Sequence, residues 1–523
     1  MNTSTTSGLL SAEALEALDA LSFAGAREQA RALADGRVTA IDLLEHTLAR
    51  IARFNPAINA VVHIDADAAR TAARAADAAL ARGERRPLLG VPITVKESFD
   101  AAGLVTSGGD PAYADNRPAQ DAPSVAGLRE AGAIILGKSN VPLANADLQS
   151  YNAVYGVSSN PWDLRRTPGG SSGGSAAALA AGLVALELGT DIGGSIRIPA
   201  HFNGVYGHKT SAGLITLRGT GAPGGRLADR DLTVAGPLAR TAADLELALD
   251  LLVNREPLAA KAWKATLPPA RHTALKDFRV LLIDRWPGTI RSRHEAQVVE
   301  RVAERLRTQG TRVSRLNELP GGLLPDLELQ HRVYRSLQGS SLARPPALSE
   351  AAQARLAALA PDDDSADAAW LRASTLPHTE WLRFNETRFQ LRHQWERFFA
   401  HFDVVVTPVA PLPAFEHQHG LPKDGRLFPV AFDDGVRHLR FLELFHWAGL
   451  PVLPGLPATS FPIGLDETGL PVSAQAVGPY LEDRTTIAFA HLLEEIYGGF
   501  IVPPGYRWGD QPAASGASET RAG

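Results

Sequence analysis

The stretch that most limits what this chain can become runs from Thr167 to Pro199, TPGGSSGGSAAALAAGLVALELGTDIGGSIRIP. Two Gly-Gly-Ser clusters, Gly169-Gly170-Ser171 and Gly193-Gly194-Ser195, flank an alanine-rich apolar segment. Glycine lets a backbone approach a neighbour closely and visit positive φ, at an entropic cost that a purely structural segment has little use for. Serine adds hydroxyls. Ala176 to Leu186 carries no polar side chain, which predicts a helix buried on all sides. A buried helix that sets two polar, glycine-rich turns beside each other suits a catalytic site.

A chain of 523 residues, 45% hydrophobic and 21% charged, easily supports a large core in one or more domains. With a net charge of −5 and no long basic run, nucleic acid is not an expected partner. The absence of cysteine excludes disulfides, zinc–thiolate sites, iron–sulfur clusters and a cysteine nucleophile, and leans the expected location toward the cytoplasm. The first residues, MNTSTTSGLLSAEALEAL, have no basic start and no adequate apolar run for a signal peptide. The Ala176–Leu186 run is too short to span a bilayer, so no membrane association is expected. The residues from Gly509 to Gly523 are small, polar and aperiodic, and are expected to be disordered.

Along the chain, Thr39 to Arg53 reads as an amphipathic helix with Thr39 as N-cap and Asp42 three residues on. Asn59–His63 suits a short strand, Asp65–Arg82 an Ala-rich helix, and Pro92–Lys96 (PITVK) a buried strand. Pro123–Glu130 reads as a helix, Ala133–Leu136 as a strand ended by Gly137, and Gly156–Pro168 as an ordered loop. Beyond the central stretch, Gly213–Leu217 has a β-like pattern and Thr241–Leu252 a helical one. Arg279–Ile283, His294–Gln309 and Thr311–Leu316 form a strand–helix–strand unit, which implies parallel pairing through a right-handed crossover. Residues 317–400 are rich in Leu, Arg and Ala, mostly helical, and interrupt the α/β alternation like a cap over a site. Val404–Thr407, Leu456–Ile463, Pro471–Val477 and a helix from Asp483 to Tyr497 complete the chain.

Several short patterns compete for function. Gly219 to Gly224 satisfies G-x-G-x-x-G, but it contains a proline and no helical pattern follows. Gly169–Ser175 lacks the Gly-Lys-Ser/Thr of a phosphate loop. His417-Gln418-His419 has metal-pair spacing without a supporting carboxylate-rich helix, so a solvated loop is the expectation and no metal site is assigned. The serious rival is the nucleophile elbow G-x-S-x-G, matched twice between Gly169 and Gly174. That motif needs a preceding strand, which Asp163–Pro168 does not resemble, and it leaves Gly193-Gly194-Ser195 unexplained.

Acyl transfer needs a nucleophilic hydroxyl, a base and converging N–H donors. Thr190 to Ser195 offers a hydroxyl directly after residues whose backbone N–H groups can converge, and Ser171 offers a second hydroxyl as a relay. Lys96 is the attractive base. Its ordinary fate on a strand end is to reach for the surface, and Glu97 points to the other strand face. Burial, however, lowers a lysine pKa and leaves a neutral amine able to deprotonate serine.

The sequence resembles the amidase signature family. The matching pieces are GVPITVKESFD (90–100), GKSNVPLANADLQSYNAVYG (137–156), NPWDLRRTPGGSSGGSAAALAAGL (160–183) and LGTDIGGSIRIPAHFNGVYGHK (188–209). GPLARTAADLELALDLL (236–252) and GLPVSAQAVGPYLEDR (469–484) also fit. The resemblance implies an α/β fold, a large mixed β-sheet sandwiched by helices. We expect it to fill a single domain over residues 1–508, with 317–400 as the helical insertion.

The resemblance also implies a Ser–cis-Ser–Lys triad. Ser195 is the expected nucleophile, Ser171 the relay in a cis peptide arrangement, and Lys96 the base. The backbone N–H groups of Ile192, Gly193 and Gly194 are the expected oxyanion hole. Ser172, Thr190, Asp191 and Arg197 are expected to support the turn, and Asn145, Asp147 and Gly170 to contact substrate. The implied activity is hydrolysis of a carboxylic amide, with carbamates, esters or lactams as alternatives. A remoter alternative is one component of a glutaminyl-tRNA amidotransferase. No metal or cofactor is implied. The expected partner is a small-molecule substrate, met by a monomer or homodimer.

Overall fold

In the computed structural model, residues 12–221, 227–341, 350–363, 366–373 and 375–510 are described. The chain is α/β. Its main sheet has eight strands in the order Arg312–Arg315, Arg279–Leu282, Val404–Pro408, Pro471–Val477, Ala458–Leu465, Tyr206–Lys209, Val234–Ala239 and Leu186–Asp191. The sheet is mixed. The first three strands pair in parallel, and the remaining pairings are antiparallel. The parallel Arg279–Leu282/Arg312–Arg315 pair is joined by the helix Arg293–Thr308, as the strand–helix–strand pattern predicts. That helix begins in a capping box, in which Ser292 and Glu295 satisfy each other's backbone N–H groups.

A separate three-stranded sheet carries the lysine strand. Pro92–Lys96 pairs in parallel with Ile134–Ser139, which pairs antiparallel with Val61–Ile64. The Ile134–Ser139 strand runs through Gly137, where the sequence pattern ends it, and so brings Lys138 into the sheet. The helix expected from Thr39 spans Ala40–Ile58, and the Thr39 side chain accepts from the Asp42 N–H. The helices Ala66–Ala81, Pro123–Glu130, Ala242–Leu252 and Asp483–Tyr497 lie within a residue or two of their sequence patterns.

The central stretch departs from expectation. Its helix covers only Gly173–Ala180, Gly182 follows at φ 64, and Leu186 opens a strand to Asp191. Both elements are buried throughout. Uniform burial removes the period that separates a helix from a buried strand, so the apolar run reads as one element when it is two. Gly213–Leu217 forms no strand; Tyr206–Lys209, just before it, does. A hairpin over Leu427–Phe432 and Gly435–Arg440 is a further element that the sequence pattern does not announce.

Where described, the region 317–400 carries the helices Leu327–Ser340, Glu350–Ala358, Ala366–Ala373 and His378–Phe399, joined by turns and loops. Gln330 anchors the first of these helices, donating to the Leu450 carbonyl at 2.7 Å and accepting from Trp395 Nε1 at 2.7 Å. Residues 222–226, which include the second half of the Gly219–Gly224 pattern, and most of the expected disordered tail lie outside the described residues. Among the described residues no helix is long and apolar enough to cross a membrane. Among them, too, no three His, Cys, Asp or Glu side chains group as a metal site, His417 and His419 included.

Candidate active site

Three elements converge on one point. The strand Pro92–Lys96 ends in a lysine that is 0% exposed. Lys96 Nζ lies 2.7 Å from Ser171 Oγ and 2.9 Å from Thr190 Oγ1. Ser171 stands on the turn before the Gly173–Ala180 helix and follows a cis Gly170–Ser171 peptide. Thr190 lies in the strand Leu186–Asp191, which runs into the Gly193-Gly194-Ser195 turn. Ser172 N–H donates to the Ser195 carbonyl at 3.1 Å and so ties the two glycine-rich turns together. Ser195 is 7% exposed at this junction.

Burial drives the Lys96 pKa well below the ordinary lysine value. Asp191 and Glu187 pull it upward, and the charge of Arg230 pushes it down. Desolvation wins because each carboxylate is already engaged. Asp191 forms a fully buried pair with Arg197 at 2.9 Å, and its two oxygens also accept from the Gly194 and Ile196 N–H groups. Arg197 in turn holds Gln475 Oε1 at 2.8 Å and the Ala448 carbonyl at 2.7 Å. Burial raises Glu187 to about 7, and Glu187 accepts from the Thr94 and Ser139 hydroxyls.

Asp191 changes the expectation for the oxyanion hole. The Gly194 N–H donates to Asp191 Oδ1 at 2.8 Å, so of the three donors expected there it is the one already engaged. Gly194 instead supplies the φ of 102 that turns the chain into Ser195. Gly193 sits where a Cβ would lie 2.8 Å from Tyr334 Oη and 2.9 Å from Gln338 Nε2, so a side chain there would have to displace both tips.

Of the residues expected to meet substrate, Asp147 is already engaged within the protein. Asp147 is a structural anchor. Both its oxygens lie 2.8 Å from Arg426 Nη1, and it also accepts from the Leu148 N–H and the Tyr151 hydroxyl. The pair is almost wholly buried, so Asp147 presents no free carboxylate. Gly170 is pressed against the backbone of residues 147–149. Asn145 is half-buried at φ 59, and its Oδ1 has no partner among the described residues. Ser172 Oγ is likewise buried without a partner among them.

Three neighbours of the site are absent from the sequence expectations. Glu187 directly follows the apolar Ala176–Leu186 run, and a carboxylate beside so apolar a run is the one signal that could mark it. Tyr334 and Gln338 reach the Gly193 turn from the helix Leu327–Ser340, and nothing local in the sequence marks them. The 227–231 segment and the insertion also line an open cleft of about 420 Å³, bordered by Arg230, Asp231, Ser340, Ser341 and Trp381 among others.

A family model described as Amidase matches residues 42–487. The chain belongs to this family, the amidase signature enzymes. It is similar to fatty-acid amide hydrolase 2-A of Danio rerio, at 31% identity over 91% of this chain and 89% of that protein. It is also similar to a glutamyl-tRNA(Gln) amidotransferase subunit of Anaeromyxobacter sp. (strain K), at 33% identity over 92% of this chain and 97% of that one. Among solved structures, one described as a crystal structure of amidase superposes with a TM-score of 0.72 at 29% identity, covering 91% of this chain and 100% of the other. This amidase signature chain is accordingly a hydrolase acting on amide C–N bonds.

Proposed function

We propose that this protein hydrolyses a small carboxylic amide through an acyl-Ser195 intermediate, with Lys96 as base and Ser171 as proton relay. The observation that carries the reading is a fully buried lysine whose amine lies 2.7 Å from the Ser171 hydroxyl. A neutral Lys96 takes the Ser171 proton as Ser171 takes that of Ser195. Ser195 attacks the carbonyl carbon, and the Ile192 and Gly193 N–H groups receive the charge that develops on the carbonyl oxygen. Collapse returns the proton through Ser171 to the leaving amine. Water, deprotonated along the same path, then releases the acid and restores Ser195. The proton lost by Ser195 leaves with the amine and water supplies its replacement, so all three side chains end as they began, and no oxidant or reductant enters.

The 420 Å³ cleft between the 227–231 segment and the insertion supports placing leaving-group selection there. Carbamates, esters and lactams share the oxyanion chemistry and are the alternative substrates. The 33% identity to an amidotransferase component favours one second reading, a partner-dependent transferase. Purified protein acting alone, as monomer or homodimer, separates the two: turnover of anilides or aliphatic amides without ATP or a partner is expected of the hydrolase. In that assay Ser195→Ala abolishes turnover, by about 10⁴-fold or more. Retained turnover in this variant returns the nucleophile to another serine, as in the elbow motif.

A further inference from the structure

The Ile192–Gly193 peptide is held from outside the motif. Its carbonyl accepts a hydrogen bond from the Tyr334 hydroxyl at 3.1 Å, from a residue 142 positions away in sequence. The peptide is trans, so its C=O and N–H point in opposite directions across one plane. With the carbonyl held toward the insertion, the Gly193 N–H points away from it. Rotation of this peptide would require changes only in ψ of Ile192 and φ of Gly193, and glycine accepts either sign of φ at little steric cost. The glycine that lets the turn come close therefore also leaves its N–H free to turn round, which would put a carbonyl oxygen where a donor is needed.

We propose that Tyr334 is a positioning residue for the oxyanion hole, locking the Ile192–Gly193 peptide with the Gly193 N–H directed at the reacting carbonyl oxygen. The inference rests on the acyl-Ser195 reading above. Tyr334 is suited to the task. It is fully buried in one apolar cluster with Leu337 and Val452, against which Ile192 packs, and its ring lies beside Gly449. Burial raises its hydroxyl well above the ordinary tyrosine value, so it stays a donor throughout the working pH range. Its helix is fastened by Gln330 to Leu450 and Trp395, so the lock is borne on a fixed support. The helical insertion thereby contributes to the chemistry as well as to the walls of the cleft.

The test removes the hydroxyl and keeps the ring. Tyr334→Phe is expected to lower kcat at least about tenfold while KM changes less than about twofold, because the donor acts on charge present only in the transition state. A trifluoromethyl ketone amide analogue supplies the second readout, since it forms a tetrahedral oxyanion on a serine. Its affinity should fall at least about tenfold in Tyr334→Phe, whereas a ground-state amide should bind Ser195→Ala/Tyr334→Phe as tightly as Ser195→Ala. If Tyr334→Phe does not melt cooperatively, p-fluorophenylalanine at position 334 fills the same volume without a donor and takes its place. Unchanged kcat and unchanged ketone affinity overturn the inference. Failure of the wild type to form a ketone adduct at Ser195, read by mass, overturns the acyl-Ser195 reading instead.

Discussion

Lys96 and Lys138 lie on paired parallel strands of the same small sheet, and both are fully buried. Desolvation depresses both, Lys138 to about 8. Their partners differ in kind. Lys138 Nζ donates to the carbonyls of Phe99 and Val105 and to the Thr106 hydroxyl, whose own proton is already given to the Phe99 carbonyl, and Glu97 and Asp100 support its charge. Lys96 meets the hydroxyls of Ser171 and Thr190. A carbonyl only accepts, so it holds an amine in place as a donor. A hydroxyl both accepts and donates, so it can hand a proton to the amine. Burial and a lowered pKa alone do not separate a catalytic lysine from a structural one, and the chemistry of the partner does.

The largest test of this contrast is the pair Lys96→Met and Lys138→Met. Lys96→Met should lower kcat by about 10³-fold or more while the protein keeps its cooperative melt. Lys138→Met should leave kcat per folded molecule near wild type. A comparable loss of kcat in both would erase the distinction.

Next in size is Arg197→Met. It leaves Asp191 charged and unpaired in the interior, at a cost of about 3–5 kcal/mol in unfolding free energy by denaturant titration. In whatever fraction folds, the freed Asp191 charge should draw the Lys96 pKa upward and move the acid limb of the kcat/KM profile to higher pH. A variant with wild-type stability would show that the Asp191–Arg197 pair does not support the turn.

The smallest effect belongs to Lys138 itself. Lys138→Met strands the carbonyls it served and should cost about 1–3 kcal/mol. The wild-type lysine titrates at about 8 in the fold against about 10.4 unfolded. Between those values the unfolded chain binds the extra proton, so its contribution becomes more favourable to the fold as pH rises. The stability gap between wild type and Lys138→Met should therefore widen as pH rises from about 8 to about 10.4. A gap independent of pH would contradict the lowered pKa.

What is legible in the sequence follows from the same physics. Ser171, Ser195, Lys96 and the Asp191–Arg197 turn all lie in short, compositionally unusual stretches, and the structure brings them together. The βαβ unit and most helices carry their own periodicity and caps. The Ala176–Leu186 boundary does not, because complete burial leaves no period to read. Asp147 is expected at the substrate but serves as an anchor, because its partner Arg426 lies 279 residues away on a loop with no motif. Tyr334 is likewise remote from Ile192, 142 positions away. Long-range contacts of single residues leave no local trace, and these are the contacts that close the site.

The central claim is that Lys96 activates Ser195 through Ser171. It is met most directly by measuring fluorophosphonate labelling rates with the modified residue located by peptide mass. The account predicts labelling at Ser195 in the wild type and in Lys138→Met, and labelling slowed by orders of magnitude in Lys96→Met. Labelling of Lys96→Met at the wild-type rate, or modification of a serine other than Ser195, would contradict it.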